Sequence, residues 1–168
     1  QETVIDSLGS FALALEERPA PRAVLANAGE EAWTGIVEEL LRFDAPVSYV
    51  ARVASGDLEI GGYAIEDGQT VVSCLAAANR DPAWCERPDE IDFSRPVRRS
   101  LAFGTGLHTC LGQHVARLEL RAALKALYVE APQWRIRTDA VVYRPNALLR
   151  GLTSAPAEAA VASVRQTA

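Results

Sequence analysis

The sequence contains no methionine, a single lysine and only three cysteines among 168 residues. Arginine therefore supplies almost all of the positive charge, and the net charge is −5. This balance argues against nucleic acid or an anionic membrane surface as the main partner. An odd and sparse set of cysteines argues against a disulfide framework and predicts a reducing compartment, the cytoplasm. No run of 18 apolar residues is present, so no membrane-spanning segment is expected.

The absence of methionine also bears on the start of the chain, because a primary translation product begins with that residue. Val4, Ile5, Leu8 and Phe11 already follow a helical spacing, and no capping residue precedes them. We expect the sequence to begin inside a helix and to belong to a longer protein.

The apolar pattern predicts three long helices and two regions of short strands. The helices are expected at residues 1–17, 30–43 and 111–129, the last of them buried on most of its surface. Strand-like segments fall within 47–77 and 134–154, and an Ala-rich flexible tail is expected over 155–168. Residues 79–100 form a long irregular stretch, which is typical of a segment that is functional or held by a specific set of contacts.

The stretch "LAFGTGLHTCLGQHVARLEL", residues 101–120, places two glycines, a histidine and a cysteine just before a helical pattern. One interpretation is packing, because glycines mark turns and free cysteine is among the most buried residue types. The other is chemical, because a thiolate at a helix N-terminus is a strong ligand and nucleophile.

Three chemical alternatives for this stretch have weak support. Zinc bound by His108, Cys110, His114 and Cys85 would need a spacing that fits none of the common pair motifs. A Cys–His nucleophile pair has no assignable oxyanion donor or orienting group. A phosphate-binding loop would need a Lys and a Ser or Thr in register after the glycines, and neither is present.

A thiolate-bound iron site fits the stretch better. Gly104 and Gly106 permit positive φ, which would let backbone amides point at the sulfur. The N-terminus of the helix after Cys110 supplies a positive field. Gly112 leaves room for a flat ring, and Phe103 would keep water from the sulfur.

Two further pairs have ordinary interpretations when considered alone. Glu39 and Arg42 at i, i+3 on a helix are most simply a surface ion pair. Glu2 and Thr3 project about 100° apart on the first helix, which by itself carries little meaning.

The segment "FGTGLHTCLG", residues 103–112, closely resembles the heme-binding loop of bacterial, soluble-type cytochrome P450 monooxygenases. Other segments resemble the family in its own order: "QETV", "EELLR", "ARVASGDLEIGG", "DEIDFSRP" and "LLRGLTS". The resemblance implies a mainly α fold with small β-sheets (α+β), in agreement with the predicted elements. It also implies that residues 1–154 are the C-terminal, heme-binding half of such a domain, which is more than twice this length.

The resemblance implies a role for each matching position. Cys110 would be the axial ligand of heme b, in a loop with Phe103, Gly104, Gly106 and Gly112. The remaining roles are heme propionate binding by Arg52 and His108, a buried ion triad of Glu39, Arg42 and Arg95, proton delivery by Glu2 and Thr3, and a substrate pocket lined by Val47, Ser48, Val50 and Leu148.

The activity implied by the resemblance is insertion of one oxygen atom from O₂ into a small apolar organic substrate. Electrons would come from a ferredoxin-like or flavoprotein donor, because no nicotinamide or flavin motif is present. The missing N-terminal half or a second chain would complete the fold. Ser100 departs from the family, since bacterial relatives often have His there. The alternatives are a naturally shortened heme protein, acting as a peroxidase-like enzyme or a heme- or gas-binding module, and a heme-free scaffold acting as a biosynthetic enzyme or partner subunit.

Overall fold

The structure, a computed structural model, describes residues 2–159. The α-helices in this range are α1 (Glu2–Glu16), α2 (Pro19–Leu25), α3 (Trp33–Phe43), α4 (Leu75–Ala78) and α5 (Gln113–Lys125). The strands are β1 (Val50–Val53), β2 (Leu58–Ile60), β3 (Tyr63–Ile65), β4 (Thr70–Ser73), β5 (Trp134–Ile136), β6 (Val142–Tyr143), β7 (Leu152–Ser154) and β8 (Ala157–Ala159). The predicted mainly α fold with small sheets is therefore confirmed.

The core lies where α1, α3 and α5 pack together. The apolar face of α3 is fully buried, with Trp33, Ile36, Val37, Leu40 and Leu41 each at most 3% exposed. Phe11 and Leu15 of α1 and Leu120 and Leu124 of α5 complete the same cluster. Because these positions recur at helical spacing in the sequence, the packed faces follow directly from the apolar pattern.

The strands form two-stranded antiparallel sheets, β1 with β4, β2 with β3, β5 with β8 and β6 with β7. The β2–β3 hairpin turns through Gly61 and Gly62, whose φ angles are 59° and 84°. Two consecutive positive φ values are what a tight hairpin turn requires, and glycine adopts them without steric cost. The segment predicted as strand over 70–77 ends at Ser73, and the alanine-rich residues that follow form α4 instead.

The prediction for α5 is wrong in one respect. Its residues are not buried on most of their surface: Val115 and Leu118 are 59% and 66% exposed, and only Leu120 and Leu124 of the helix are buried. The apolar pattern shows only which faces of a helix favour burial. In the structure, α1 and α3 pack against one face of α5, so its other apolar side chains stay exposed.

Part of the segment predicted as a flexible tail is paired in a sheet. Ala157–Ala159 form β8, which pairs with β5, and the N–H of Arg137 donates to the carbonyl of Pro156 (2.9 Å). Backbone hydrogen bonds do not depend on side-chain composition, so an Ala-rich segment pairs with a free strand edge. Residues 160–168 of the predicted tail lie outside the described residues. No helix within residues 2–159 is long and apolar enough to cross a membrane.

Candidate functional site

A cavity of about 840 Å³ lies between α1, α5, the β1–β4 ribbon and the loop that precedes α5. This volume falls within the range of about 300–1,000 Å³ typical of small-molecule sites. The cavity brings together nine residues singled out from the sequence, namely Thr3, Val47, Val50, Arg52, Phe103, Gly104, His108, Cys110 and Gly112.

The loop before α5 is shaped by two glycines. Gly104 and Gly106 have φ angles of 66° and 73°, as predicted, so a side chain at either position would be strained. The N–H of Cys110 donates to the carbonyl of Phe103 (3.0 Å), and the N–H of Thr109 donates to that of Gly106 (3.1 Å). These turns place Cys110 three residues before Gln113, the first residue of α5. The helix therefore starts two residues later than the predicted residue 111.

Cys110 lies in the cavity wall with its side chain exposed, so the packing interpretation of this cysteine is wrong. The buried cysteine is Cys85. A Cβ on Gly112 would lie 3.9 Å from the Cys110 sulfur, so any side chain there would stand beside the thiol. The arrangement fits a soft metal ligand with a bulky flat group against the backbone at Gly112.

Phe103 is held against α5 by charged residues that sequence reasoning missed. The guanidinium of Arg117 lies over the Phe103 ring at 4.5 Å from its centroid, and Arg117 Nε donates to Glu38 Oε1. Glu38 Oε2 also accepts from the N–H of Ser100 (3.2 Å). One buried carboxylate thus connects α3, α5 and the start of the cysteine loop.

Arg52 and His108 are the basic side chains of the cavity wall, and both are exposed. Arg52 Nη1 donates to the carbonyl of its neighbour Ala51 (2.7 Å). Guanidinium and imidazole groups bind carboxylates, and Arg does so through a planar fork of donors. The cavity therefore combines a thiol, an apolar wall and two carboxylate-binding groups.

The ion triad is present and buried. Glu39 accepts from Arg42 Nε and Nη2 at 2.8 and 2.9 Å, and from Arg95 Nε at 3.1 Å. The side chains of Glu39 and Arg42 are only 6% and 4% exposed, which excludes the surface-pair interpretation. Burial by itself lowers the pKa of Arg42, but the hydrogen bonds and charge of Glu39 outweigh it, so this pKa lies above its usual value.

The triad fixes the long irregular segment 79–100. Arg42 donates to the carbonyls of Pro88 and Glu90, both at 2.8 Å, and Arg95 donates to the carbonyl of Arg87 at 2.9 Å. The N–H of Asp92 donates in turn to Glu39 Oε1 (2.9 Å). The expectation that a specific contact set holds this segment is confirmed.

Glu2 and Thr3 are separated by the structure. Thr3 lines the cavity, whereas the Glu2 carboxylate lies outside its wall and accepts from Arg144 Nη1 (2.8 Å). Arg144 is held in place by the buried carboxylate of Asp6, to which it donates at 3.0 and 3.2 Å. Sequence reasoning singled out Glu2 and Thr3 but missed Arg144, which pairs with the Glu2 carboxylate.

Three other predicted residues lie outside the cavity wall, namely Ser48, Gly106 and Leu148. Two of them still contact each other, because the N–H of Ser48 donates to the carbonyl of Leu148 (2.9 Å). The structure therefore brings the two segments predicted to face the substrate side by side.

Several cavity residues escaped sequence reasoning, although helical spacing could have identified some of them. From Gly112, positions i+3, i+4, i+7 and i+8 are Val115, Ala116, Glu119 and Leu120, and all four line the cavity. On α1, Ser7 lies one turn after Thr3, and its hydroxyl donates to the Thr3 carbonyl (2.8 Å). The other missed wall residues are Val4, Leu41, Pro46, Ser73, Leu75, Ala102 and Thr105.

The zinc alternative lacks a ligand set. Over residues 2–159, no group of three or more His, Cys, Asp or Glu side chains is placed to hold a metal ion. Cys85 lines a different cavity, of about 510 Å³, together with the triad of Glu39, Arg42 and Arg95. The two cysteines needed for that zinc site therefore belong to separate parts of the molecule.

Comparison with known proteins gives a consistent result. Residues 33–129 match the family model for cytochrome P450. The chain is 39% identical to a vitamin D(3) 25-hydroxylase of Pseudonocardia autotrophica, covering 92% of this chain and 39% of that protein. It is 41% identical to a putative cytochrome P450 140 of Mycobacterium bovis, covering 92% of this chain and 35% of that protein.

Solved structures show the same relationship. The crystal structure of CalO2 superposes with a TM-score of 0.88 at 36% identity, over 95% of this chain and 40% of that one. P450BioI, solved in complex with an acyl carrier protein carrying hexadec-9Z-enoic acid, also gives a TM-score of 0.88, at 35% identity. The chain thus spans about two fifths of the length of the proteins it matches.

Proposed function

Because this chain belongs to the cytochrome P450 family, we propose that residues 1–154 form the heme-binding half of a bacterial monooxygenase. The observation that carries the proposal is the exposed thiol of Cys110 beside Gly112, in the wall of a cavity that also presents Arg52 and His108. A heme-free scaffold would have no need for these features in one place.

Heme b is the cofactor whose chemistry these residues fit. Cys110 would hold the iron through its thiolate, while Arg52 and His108 would bind the two propionates. Heme with a thiolate ligand supplies the O₂ activation and O–O cleavage on which monooxygenase chemistry depends. Phe103, fixed by Arg117, would keep water away from the sulfur.

Hemin titration tests this assignment. We expect the absorbance of the Soret band to saturate at one heme per chain, and the reduced, CO-bound protein to show the red-shifted band of thiolate ligation. A titration without saturation, or a CO complex with only the unshifted band of histidine or water ligation, would contradict the proposal.

The proposed substrate is a small apolar organic molecule bound against Val47, Val50 and the segment around Leu148. Val47 and Val50 line the cavity, and so do the apolar residues Pro46 and Leu75. The Pseudonocardia relative is a vitamin D(3) 25-hydroxylase, which supports C–H oxidation for the whole protein. A cytoplasmic ferredoxin-like or flavoprotein donor would supply the electrons.

The proposed structural partner is the N-terminal half of the family domain or a second chain. Leu107 and Leu111 of the cysteine loop are fully exposed, and Leu118 of α5 is 66% exposed. Large apolar side chains that are so exposed and so near one another along the chain favour a surface that another protein segment covers.

Thr3 is proposed to hold and pass protons within the cavity, with Glu2 as the acid that connects it to solvent. Glu2 would have to leave Arg144 to reach Thr3, so the acid would alternate between two positions. In the heme-loaded, completed protein, we expect Thr3→Ala to spare heme binding and substrate affinity. It should divert much of the consumed reducing power into hydrogen peroxide, measured as peroxide released per electron pair.

Ser10→Ala on the same helix is the control, because Ser10 is buried away from the cavity. It should leave the ratio of product to peroxide unchanged. If Thr3→Ala also yields unchanged product per electron pair, Thr3 is a packing residue and the proton-transfer role is wrong.

A further inference from the structure

Two loops meet on the substrate side of the cavity and are joined by backbone contacts. The N–H of Ser48 donates to the carbonyl of Leu148 (2.9 Å), and the N–H of Arg150 donates to the carbonyl of Pro46 (2.8 Å). Val47 and Leu149 form an antiparallel bridge between these two bonds. Since Pro46 and Val47 line the cavity, the position of this junction sets the position of the cavity wall.

An ion pair lies beside this junction. Arg150 Nε is 2.7 Å from Asp44 Oδ1, and the two side chains are 48% and 11% exposed. Asp44 follows the last residue of α3, and its N–H donates to the carbonyl of Leu40 (2.9 Å). The Arg150 guanidinium also lies over the ring of Tyr143 at 5.3 Å. The pair therefore connects the end of a buried helix to an exposed loop.

The Asp44 carboxylate lies in a site that disfavours its charge, and Arg150 opposes this effect. Burial raises the pKa of Asp44, and the charges of Arg150, Arg80 and Arg18 only partly offset the effect. Arg150 therefore offsets part of the cost of burying this carboxylate. Partly buried ion pairs contribute little to the free energy of unfolding. Their best-supported role is to fix one arrangement of the chain.

We propose that the Asp44–Arg150 ion pair is a positioning device that holds residues 46–48 against residues 148–150 and so fixes the substrate-facing wall of the cavity. The inference rests on the proposed function for its link to substrate, whereas the contact between the loops is independent of heme. Loss of the pair lets the two loops separate, and the wall then discriminates less between ligands of different size.

Amide hydrogen exchange on the 168-residue chain tests the structural part. In Asp44→Asn, we expect the N–H groups of Ser48 and Arg150 to exchange roughly tenfold faster, because the local opening that exposes them becomes easier. Arg150→Gln should lose protection of these two amides in the same way. Arg150→Lys keeps the charge and should retain most of the protection. Asp139→Asn is the matched control, since Asp139 pairs with Arg137 on the exposed surface and should leave both amides unchanged.

Ligand binding to the heme-loaded protein tests the functional part. Short- and long-chain alkylimidazoles are the probes, with dissociation constants read from the Soret shift. We expect Asp44→Asn to reduce the ratio of the two constants by about threefold or more, while the CO spectrum stays unchanged.

The outcomes separate the two proposals. Unchanged exchange at Ser48 and Arg150 overturns the positioning role, whether or not heme binds. Faster exchange with an unchanged ligand ratio overturns the link to the cavity wall. Faster exchange in a chain that binds no heme supports the loop contact and contradicts the proposed function instead.

Discussion

Cys110→Ser is expected to abolish the red-shifted Soret band of the reduced, CO-bound protein. The band requires a thiolate bound to the iron, and Cys110 is the cysteine whose side chain is exposed in the cavity wall. Serine preserves the size of the side chain and the loop turns around Gly104 and Gly106, so the fold should be retained. The readout is the CO difference spectrum, with circular dichroism to confirm the helical content.

The chain offers two control cysteines. Cys74 is exposed but precedes α4, and Cys85 is buried beside the triad cavity. Cys74→Ser and Cys85→Ser should keep the red-shifted band at normal intensity. If Cys85→Ser lost the band while Cys110→Ser kept it, the ligand assignment would be wrong.

Glu39→Gln is expected to produce the largest loss of stability, about 3–5 kcal/mol, because it leaves buried cations without their counter-charge. Arg42 and Arg95 both donate to this carboxylate, and together the three residues fix segment 79–100. A loss of this size is a large fraction of the total stability of a small domain, about 5–15 kcal/mol. Urea denaturation followed by tryptophan fluorescence measures it.

Arg87 and Glu90 provide a matched pair with the same i, i+3 spacing. Their side chains are 60% and 57% exposed, and their charged atoms lie 2.7 Å apart. Glu90→Gln should therefore cost at most about 1 kcal/mol. If Glu39→Gln and Glu90→Gln lowered the free energy of unfolding equally, burial of the triad would not matter for stability.

The parts of the site that the sequence predicted correctly are those with local causes. The positive φ angles of Gly104 and Gly106 follow from glycine itself, and the buried face of α3 follows from helical spacing. The i, i+3 spacing of Glu39 and Arg42 indicated a pair, but spacing alone could not show that the pair is buried. That property comes from segment 79–100, which packs over it.

The parts that were missed depend on residues far apart in the chain. Arg144 pairs with Glu2 from 142 positions away, and Arg117 pairs with Glu38 from 79 positions away. No periodicity in the sequence encodes such partners, because they meet only after the helices and sheets have packed. The exposure of α5 was missed for the same reason, since an apolar face does not specify what covers it.

Iron K-edge X-ray absorption on the heme-loaded wild-type protein tests whether Cys110 ligates a heme iron in the cavity formed by this chain. We predict one sulfur atom in the coordination shell of the iron, and its loss in Cys110→Ser. A wild-type spectrum fitted by nitrogen and oxygen ligands alone would contradict the claim.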